Sequence, residues 1–546
     1  MYGYRCLWIA LLACGASAWA QLSAPGGFAP PPASKDALDA ALNPIPKDTV
    51  AQYLTAVSPA RVFRAYQGKN AALKSQNADA GKKIRIGANF PVDLPAATLF
   101  TDAITDGGYT VYLGGITSAD ALGLRLRVDL SELTDADEAW VIDPTAPRAF
   151  GPFKRRQGAT KGRWLSSVEG DTAVVMVRTT AAHLPAVRVV GVSHFYVGLA
   201  EALKVLSCNV NVACETHAFL RDHVSTSVGR LAISSGDTTS LCSGSLVNNP
   251  DTAQFEPYFI TAHHCIGTVS EAEDSEVIWD YRSATCSPDT VPSVSSLPRS
   301  EGEALLATDG TLDGTLIELE SVPSGSLGRY YLGWDLRAPV INEDIIGLHH
   351  PLATAMRVNH GRVTAINQTI QTGVLTSYHK QTRVVWDEGV TEAGSSGSCL
   401  LFDDGSYALT GMLSNGATHT CGADRSGNID DFTSFRDFYS EISGFLSGTN
   451  PPDPIEDTPP GLCPAKAAFE NDPEILEKLR ALRDQGLLPT ALGKQLTAVY
   501  YKAAPYLAEL VQKSPEARGV FVLTASPFVS IGGAILEQTR HAAINH

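Results

Sequence analysis

Seven of the eight cysteines that follow residue 20 fall between positions 208 and 421: Cys208, Cys214, Cys242, Cys265, Cys286, Cys399 and Cys421. Whether such a cluster is read as disulfides or as thiols depends on the compartment the chain enters. Residues 1–20 place Arg5 ahead of an apolar stretch that closes on Ala18-Trp19-Ala20, the layout of a cleavable export signal cut before Gln21. Leu11-Leu12-Ala13-Cys14 also reads as a lipoprotein cleavage box, and either processing route exports the chain. In an oxidising compartment the cluster becomes a disulfide framework. The alternative, a buried free thiol, stays open for Cys399 and Cys463.

Between these crosslinks the chain is written in short alternating runs. Residues 21–60 are rich in Ala and Pro. From 61 to 203, runs such as Gly108-Tyr109-Thr110-Val111-Tyr112-Leu113 and Ala173-Val174-Val175-Met176-Val177-Arg178 alternate in polarity between turn formers, which predicts a β-rich N-terminal domain. From Cys208 to about Phe445 the strands remain short and long helical periodicity is absent, which predicts an all-β unit of paired barrels. Proline lacks an amide donor and fixes φ, so residues 448–462, with Pro451-Pro452-Asp453-Pro454 and Pro459-Pro460-Gly461, form a linker. Beyond it, Pro473–Leu482 and Ala491–Val511 carry apolar residues at helical spacing, which predicts a small helical module over 463–546. The expected plan is an export signal over 1–20, a propeptide or permanent accessory domain over 21–204, a catalytic β domain over 205–447, then linker and module.

The chain carries 42 Lys and Arg against 58 Asp and Glu, a formal charge of −16, which repels a phosphate backbone. No basic stripe interleaved with aromatics offsets it, so nucleic acid is not an expected partner.

Three strings bear chemistry together: Thr261-Ala262-His263-His264-Cys265, Asp313-Gly314-Thr315-Leu316-Ile317-Glu318-Leu319 and Gly394-Ser395-Ser396-Gly397-Ser398. A hydroxyl is a poor nucleophile near neutral pH and needs an imidazole to take its proton, and that imidazole needs a carboxylate to fix its tautomer. The order His, Asp, Ser in an exported, disulfide-bearing β domain supplies these groups. Competing readings are weaker. His263-His264-Cys265 with His349-His350 lacks the His-Glu-x-x-His or paired Cys-x-x-Cys spacing of a zinc site, and no metal or organic cofactor is expected. Cys399 as a thiol nucleophile lacks a local base.

These strings, with Gly244–Asn249, Trp279-Asp280-Tyr281, His349-His350-Pro351 and Gly389–Ser398, make the chain resemble trypsin-fold serine peptidases, and among them the bacterial lysyl endopeptidases, from about Cys208 to Phe445. The resemblance implies an all-β fold of two six-stranded antiparallel barrels with the site in the cleft between them. It implies His264 as base, Asp313 as its orienting acid, Ser396 as nucleophile, and the N–H groups of Gly394 and Ser396 as oxyanion donors. It implies the pairs Cys208–Cys421, Cys214–Cys286 and Cys242–Cys265, leaving Cys399 where a proline usually follows the serine turn; pairing of Cys399 with Cys463 stays open.

Specificity is where the chain departs from that pattern. Leu413, Ser414 and Asn415 are expected beside the substrate backbone, with Ser414 where lysine-specific relatives carry histidine. Gly427 stands where those relatives carry the aspartate that holds a lysine ammonium, so lysine preference does not carry over. Asp424, Asp430 and Asp431 lie close enough in sequence to reach the pocket by another path. Ser395 replaces the aspartate that captures a new N-terminus in pancreatic-type zymogens, and a cut after Lys204 would match where relatives begin. Residues 463–546 resemble a bacterial C-terminal sorting module, with a shortened Cys463–Phe469 box. Gly519–Leu536 is an uncharged run of 18 residues broken by Pro527, Gly532 and Gly533, open to a packed hairpin or to membrane association. The expected protein is a secreted serine endopeptidase acting on proteins or peptides. The alternative is an inactive surface or binding protein on the same scaffold.

Overall fold

A computed structural model of the chain describes residues 23–56, 61–63, 83–100, 102–155, 162–181, 184–200, 205–250, 255–371, 377–416, 419–422 and 424–447, and isolated positions from 469 onward. The chain divides into two compact units, Met1–Ile455 and Glu456–His546. The signal, the linker, Cys463 and most of the C-terminal module lie outside the described residues. Described positions of the second unit include helical Ile475, Lys478 and Leu479, and no helix among the described residues is long and apolar enough to cross a membrane.

The alternating runs of the N-terminal domain become strands buried on both faces. Along Thr172–Thr179, Ala173, Val175 and Val177 enter one apolar cluster while Val174 and Met176 enter another, as the two-residue period of a strand requires. The sheet built on Tyr109–Ser118, Asp137–Asp143 and Thr172–Thr179 therefore has a core on each side. One core is completed by Ile45, Val50 and Tyr53 of the N-terminal helical region, the other by the strands Gly123–Asp129 and Arg188–Phe195.

Next come two closed six-stranded antiparallel barrels. In the first, Val228–Ser235, Thr238–Leu246, Tyr258–Thr261, Gly314–Leu319, Arg299–Asp309 and Ser275–Ile278 pair in that spatial order and close on themselves. In the second the order is Asp344–His349, Arg357–Gln371, Ser377–Glu388, Ile429–Ser434, Leu409–Gly416 and Cys399–Phe402. Closure gives each barrel its own interior, around Phe259 and Trp279 in the first and Trp386 and Phe432 in the second. This is the double barrel expected of a trypsin-like fold.

Two features depart from the sequence reading. A 12-residue helix, Phe435–Leu446, ends the second barrel, capped by Ser434 and burying Phe435, Phe438, Ile442 and Phe445 in the seam between the barrels. Its pattern was hidden because about three turns of apolar spacing are too short to separate from the strands and turns around them. The N-terminal domain is also continuous with the first barrel: Ile84–Pro95 pairs with Arg188–Phe195 on one side and with Thr238–Leu241 on the other. Buried polar contacts strengthen this junction. Arg125 reaches Glu301 at 3.0 Å and the Asp274 carbonyl at 2.6 Å, while Ser166 donates to Glu301 and Ser167 to Glu276, each at 2.6 Å.

Candidate active site

His264 sits in a tight turn that follows the strand Tyr258–Thr261, and the Cys242–Cys265 disulfide ties that turn to a neighbouring strand. The other bridges are Cys208–Cys421 and Cys214–Cys286, while Cys399 is free and buried. Burial pushes the Cys399 thiol up to about 11, so it holds its proton at neutral pH.

Asp313 occupies the turn between two strands of the first barrel, at a left-handed φ of 67°, and is fully buried. Short polar residues tolerate that conformation best. Its carboxylate receives the His264 backbone N–H at 2.8 Å, the His264 Nδ1 at 2.9 Å and the Ser414 hydroxyl at 2.6 Å. Burial alone would raise its pKa, but the His264 charge and these donors outweigh it and hold the carboxyl below its ordinary value. An ionised Asp313 accepts only, so Nδ1 of His264 carries the hydrogen. Nε2 is then the basic nitrogen, and it has no hydrogen-bond partner among the described residues. The adjacent His263 bonds Thr308 at 2.7 Å.

Ser396 comes from the second barrel, in a turn bounded by Gly394 and Gly397 at φ of 92° and 80°. Ser243 of the first barrel holds that turn: its N–H donates to the Ser396 carbonyl at 2.8 Å and its hydroxyl to the Gly394 carbonyl at 3.0 Å. Ser395 bonds His349 Nδ1 at 2.8 Å, and the opposite ring nitrogen bonds Asn359 at 2.7 Å. Burial lowers His349 to about 4, which keeps it a neutral strut. His350 is likewise buried, lowered to about 3, and accounted for by the Thr354 carbonyl at 3.1 Å. Cys242, His264 and Cys265 bring ligand-type atoms within 4.8 Å of one another, but the two sulfurs are bonded to each other and offer no thiolate to a metal.

Residues 204–433 match the family model described as lysyl endopeptidase, C-terminal domain. The chain is 29% identical over 390 residues to the lysyl endopeptidase of Pseudomonas aeruginosa, an alignment that covers 67% of this chain and 82% of that one. This chain is a serine-type endopeptidase akin to the lysyl endopeptidases. Among solved structures it is similar to the Rv3671c protease of M. tuberculosis in its active form, with 12% identity, 47% of this chain and 97% of that chain covered, and a TM-score of 0.31. The MamO protease domain of Magnetospirillum magneticum gives 17% identity, 41% and 98% coverage, and a TM-score of 0.28.

In this endopeptidase the expected specificity residues are dispersed. Leu413 exchanges backbone bonds with the serine turn, accepting from Gly397 N–H and donating to Ser398, each at 2.8 Å. Ser414 turns its hydroxyl to Asp313 and is fully buried, so its side chain belongs to the carboxylate's surroundings. Asn415 is half-buried opposite Asp431. Gly427 lies exposed in a turn where an added Cβ would meet nothing within 4 Å. Sequence reasoning did not find Ser243, the His349–Ser395 bond or the Ser414–Asp313 bond, because each depends on which strands face each other across the barrels.

Proposed function

We propose that this endopeptidase hydrolyses peptide bonds through an acyl-enzyme on Ser396. His264 takes the Ser396 proton at Nε2 as the hydroxyl attacks the carbonyl carbon, and returns it to the leaving amine. Asp313 holds the imidazole by Nδ1 and stabilises the imidazolium that forms. The N–H groups of Gly394 and Ser396 receive the charge that develops on the carbonyl oxygen; losing one such donor typically costs about 10²–10³ in turnover. Water then attacks the acyl group by the reverse proton path. The observation that carries this reading is the His264–Asp313 pair at 2.9 Å, with the carboxylate buried and further held by Ser414.

The chain's substrates are proteins or peptides. We further propose that residues 1–20 direct export and that 21–204 act as a propeptide. Supporting this second role, Lys83 donates to the Cys265 carbonyl at 3.0 Å, beside His264, and an added Cβ on Gly394 would lie 3.2 Å from Ile84. A domain packed this close restricts access until it is cut away near Lys204. The module over 463–546 would retain the enzyme at the cell surface.

The test is a mixed-peptide digest read by mass spectrometry, with protein exported through an oxidising compartment. Cleavage that disappears in both Ser396→Ala and His264→Ala, with thermal unfolding preserved, is the expected result. Equal cutting by the Ser396→Ala protein would sink the mechanism, and no cutting by a correctly bridged, trimmed form would leave a binding scaffold.

A further inference from the structure

Residues Ser23–Ala29 lie apart from the N-terminal sheet and run along Arg329–Asp335, in the segment that connects the two barrels. Ser23 pairs with Asp335 and Ala24 with Trp334; then Gly27 pairs with Tyr331, Phe28 with Tyr330 and Ala29 with Arg329, all antiparallel. Asn248 donates its side-chain amide to the Pro25 carbonyl at 3.0 Å. Ala24 is buried with Tyr330, Leu332 and Trp334 in the core of the seam.

The contact is backbone against backbone. An added Cβ on Gly333 would lie 2.4 Å from the Gly26 nitrogen and 2.5 Å from the Ala24 carbonyl oxygen, and one on Gly328 would lie 2.6 Å from the Ala29 carbonyl oxygen. From the other side, a Cβ on Gly26 would stand 1.8 Å from the Tyr330 hydroxyl. A strand seated here must carry very small residues where 24–27 stand.

The receiving segment is fixed by bonds that do not involve Ser23–Ala29. Buried Arg329 donates to both oxygens of Asp280, at 3.1 and 3.2 Å, and to the Thr226 carbonyl at 2.8 Å. The Leu332 N–H bonds the Leu246 carbonyl at 3.0 Å, and the Gly333 carbonyl accepts from Leu409 at 2.8 Å. Without its partner the free edge would present backbone N–H and C=O groups, a template for an added strand. A receptor fixed beforehand loses little freedom on binding.

The N-terminal domain also touches the catalytic side, where Ile84 pairs with Leu241 beside Cys242 and Lys83 reaches the Cys265 carbonyl. Ser23–Ala29 is joined to that domain through Pro30-Pro31-Pro32 and the helix Lys47–Ala56, whose Val50 and Tyr53 sit in the domain's core.

We propose that the edge of Arg329–Asp335 is an exosite for the extended, glycine-bearing segment Ser23–Ala29, and that after a cut near Lys204 it keeps the released 21–204 piece on the enzyme as a two-point inhibitor. The proposal rests on 21–204 being a propeptide. Hydrolysis at the cut adds water across one amide, giving a carboxylate on one side and an ammonium on the other, and breaks neither contact, so the cut alone does not free the site. With two linked contacts each rebinding is intramolecular, and the pair holds about 10²–10⁴ times more tightly than either alone.

The test uses the full chain allowed to process itself, with and without residues 23–29, and a fluorescent peptide copying residues 21–31. Native mass spectrometry and recovery of small-substrate hydrolysis on serial dilution give the dissociation constant of the released piece. Deleting 23–29 should raise that constant at least about 100-fold. The peptide should bind the freed enzyme saturably below about 1 mM. It should still bind after a small alkyl fluorophosphonate has labelled Ser396, and should not slow hydrolysis of a small substrate, which separates the exosite from the cleft. A dissociation constant unchanged by the deletion overturns the proposal. So does a peptide that fails to bind or that competes with substrate, and this arm decides the matter even where the deleted chain does not fold. A chain that hydrolyses substrate at full rate while 21–204 is still attached and uncut removes the propeptide reading, and the proposal with it.

Discussion

The Ser414 hydroxyl donates to Oδ2 of Asp313 at 2.6 Å, the same oxygen that faces His264 Nδ1 at 2.9 Å. A strand of the second barrel thereby restrains a carboxylate of the first. A hydrogen bond to a buried charge contributes about 1.5–3 kcal/mol. Ser414→Ala should lower kcat roughly ten- to hundredfold, at about 1.4 kcal/mol per tenfold. KM should change little, because Asp313 does not touch substrate. Steady-state kinetics checks this, and a rise in KM with kcat intact would place Ser414 at the substrate instead.

Gly397 and Gly427 make opposite predictions. A Cβ on Gly397, already at φ of 80°, would lie 2.1 Å from Thr261 Oγ1 and 2.5 Å from the Ser243 carbonyl, so the backbone would have to move. Gly397→Ala should cost at least about 2 kcal/mol, combining left-handed strain with overpacking. Gly427→Ala meets open space and should leave stability within about 0.5 kcal/mol, or raise it by restricting the unfolded chain. Denaturant unfolding of the Ser396→Ala background, which prevents self-digestion, measures both.

Glu301 lies in the junction between the N-terminal domain and the first barrel. Burial, together with nearby Glu276 and against the pull of Arg125 and Arg163, raises its carboxyl to about 7. The docked form therefore takes up a proton that an exposed glutamate would not. This contribution to stability is complete below the ordinary carboxyl range and is lost as pH rises through about 7. A single proton changes the equilibrium by at most about tenfold per pH unit. The melting temperature of full-length Ser396→Ala protein should fall between pH 5 and 8 more steeply than that of the same protein carrying Glu301→Gln. Parallel curves would show that Glu301 does not carry the dependence.

What could be read from the chain was what short segments encode. Thr261–Cys265, Asp313–Leu319 and Gly394–Ser398 each place one functional group on a local turn, so their order and chemistry are visible without a fold. Strand alternation around Val174 and Val175 likewise discloses a β domain. Pairing between distant segments leaves no local mark. That Ser243 holds the Ser396 turn, that Ser414 meets Asp313, and that Asp430 faces Gly416 while Asp431 faces Arg383 all depend on barrel register, where a one-residue slip exchanges the faces. The junction of Ile84–Ala88 with Thr238–Leu241 is hidden for the same reason, because an edge strand reads the same whether or not another domain covers it.

His419 supplies a second pH prediction, within the protease domain. Its Nδ1 donates to the Thr391 carbonyl at 2.7 Å, and Nε2 stands 3.1 Å from Oδ1 of the fully buried Asp430. Burial, the largest influence on it, disfavours its charge, yet the Asp430 carboxylate and the carbonyls of Thr391 and Ile429 outweigh burial and raise its pKa above the ordinary value. Other titratable groups that interact with the pair are Glu392 and His349, the latter held neutral by burial. A raised histidine pKa means that the internal pair is intact at acidic pH and is lost as pH rises through that value. The stability it contributes is therefore complete below the ordinary histidine range and fades between that range and the raised value. In the Ser396→Ala background, the melting temperature of His419→Gln should fall less steeply across the neutral range than that of its parent, because no internal cation titrates. A slope that persists unchanged in His419→Gln would assign the titration to another group.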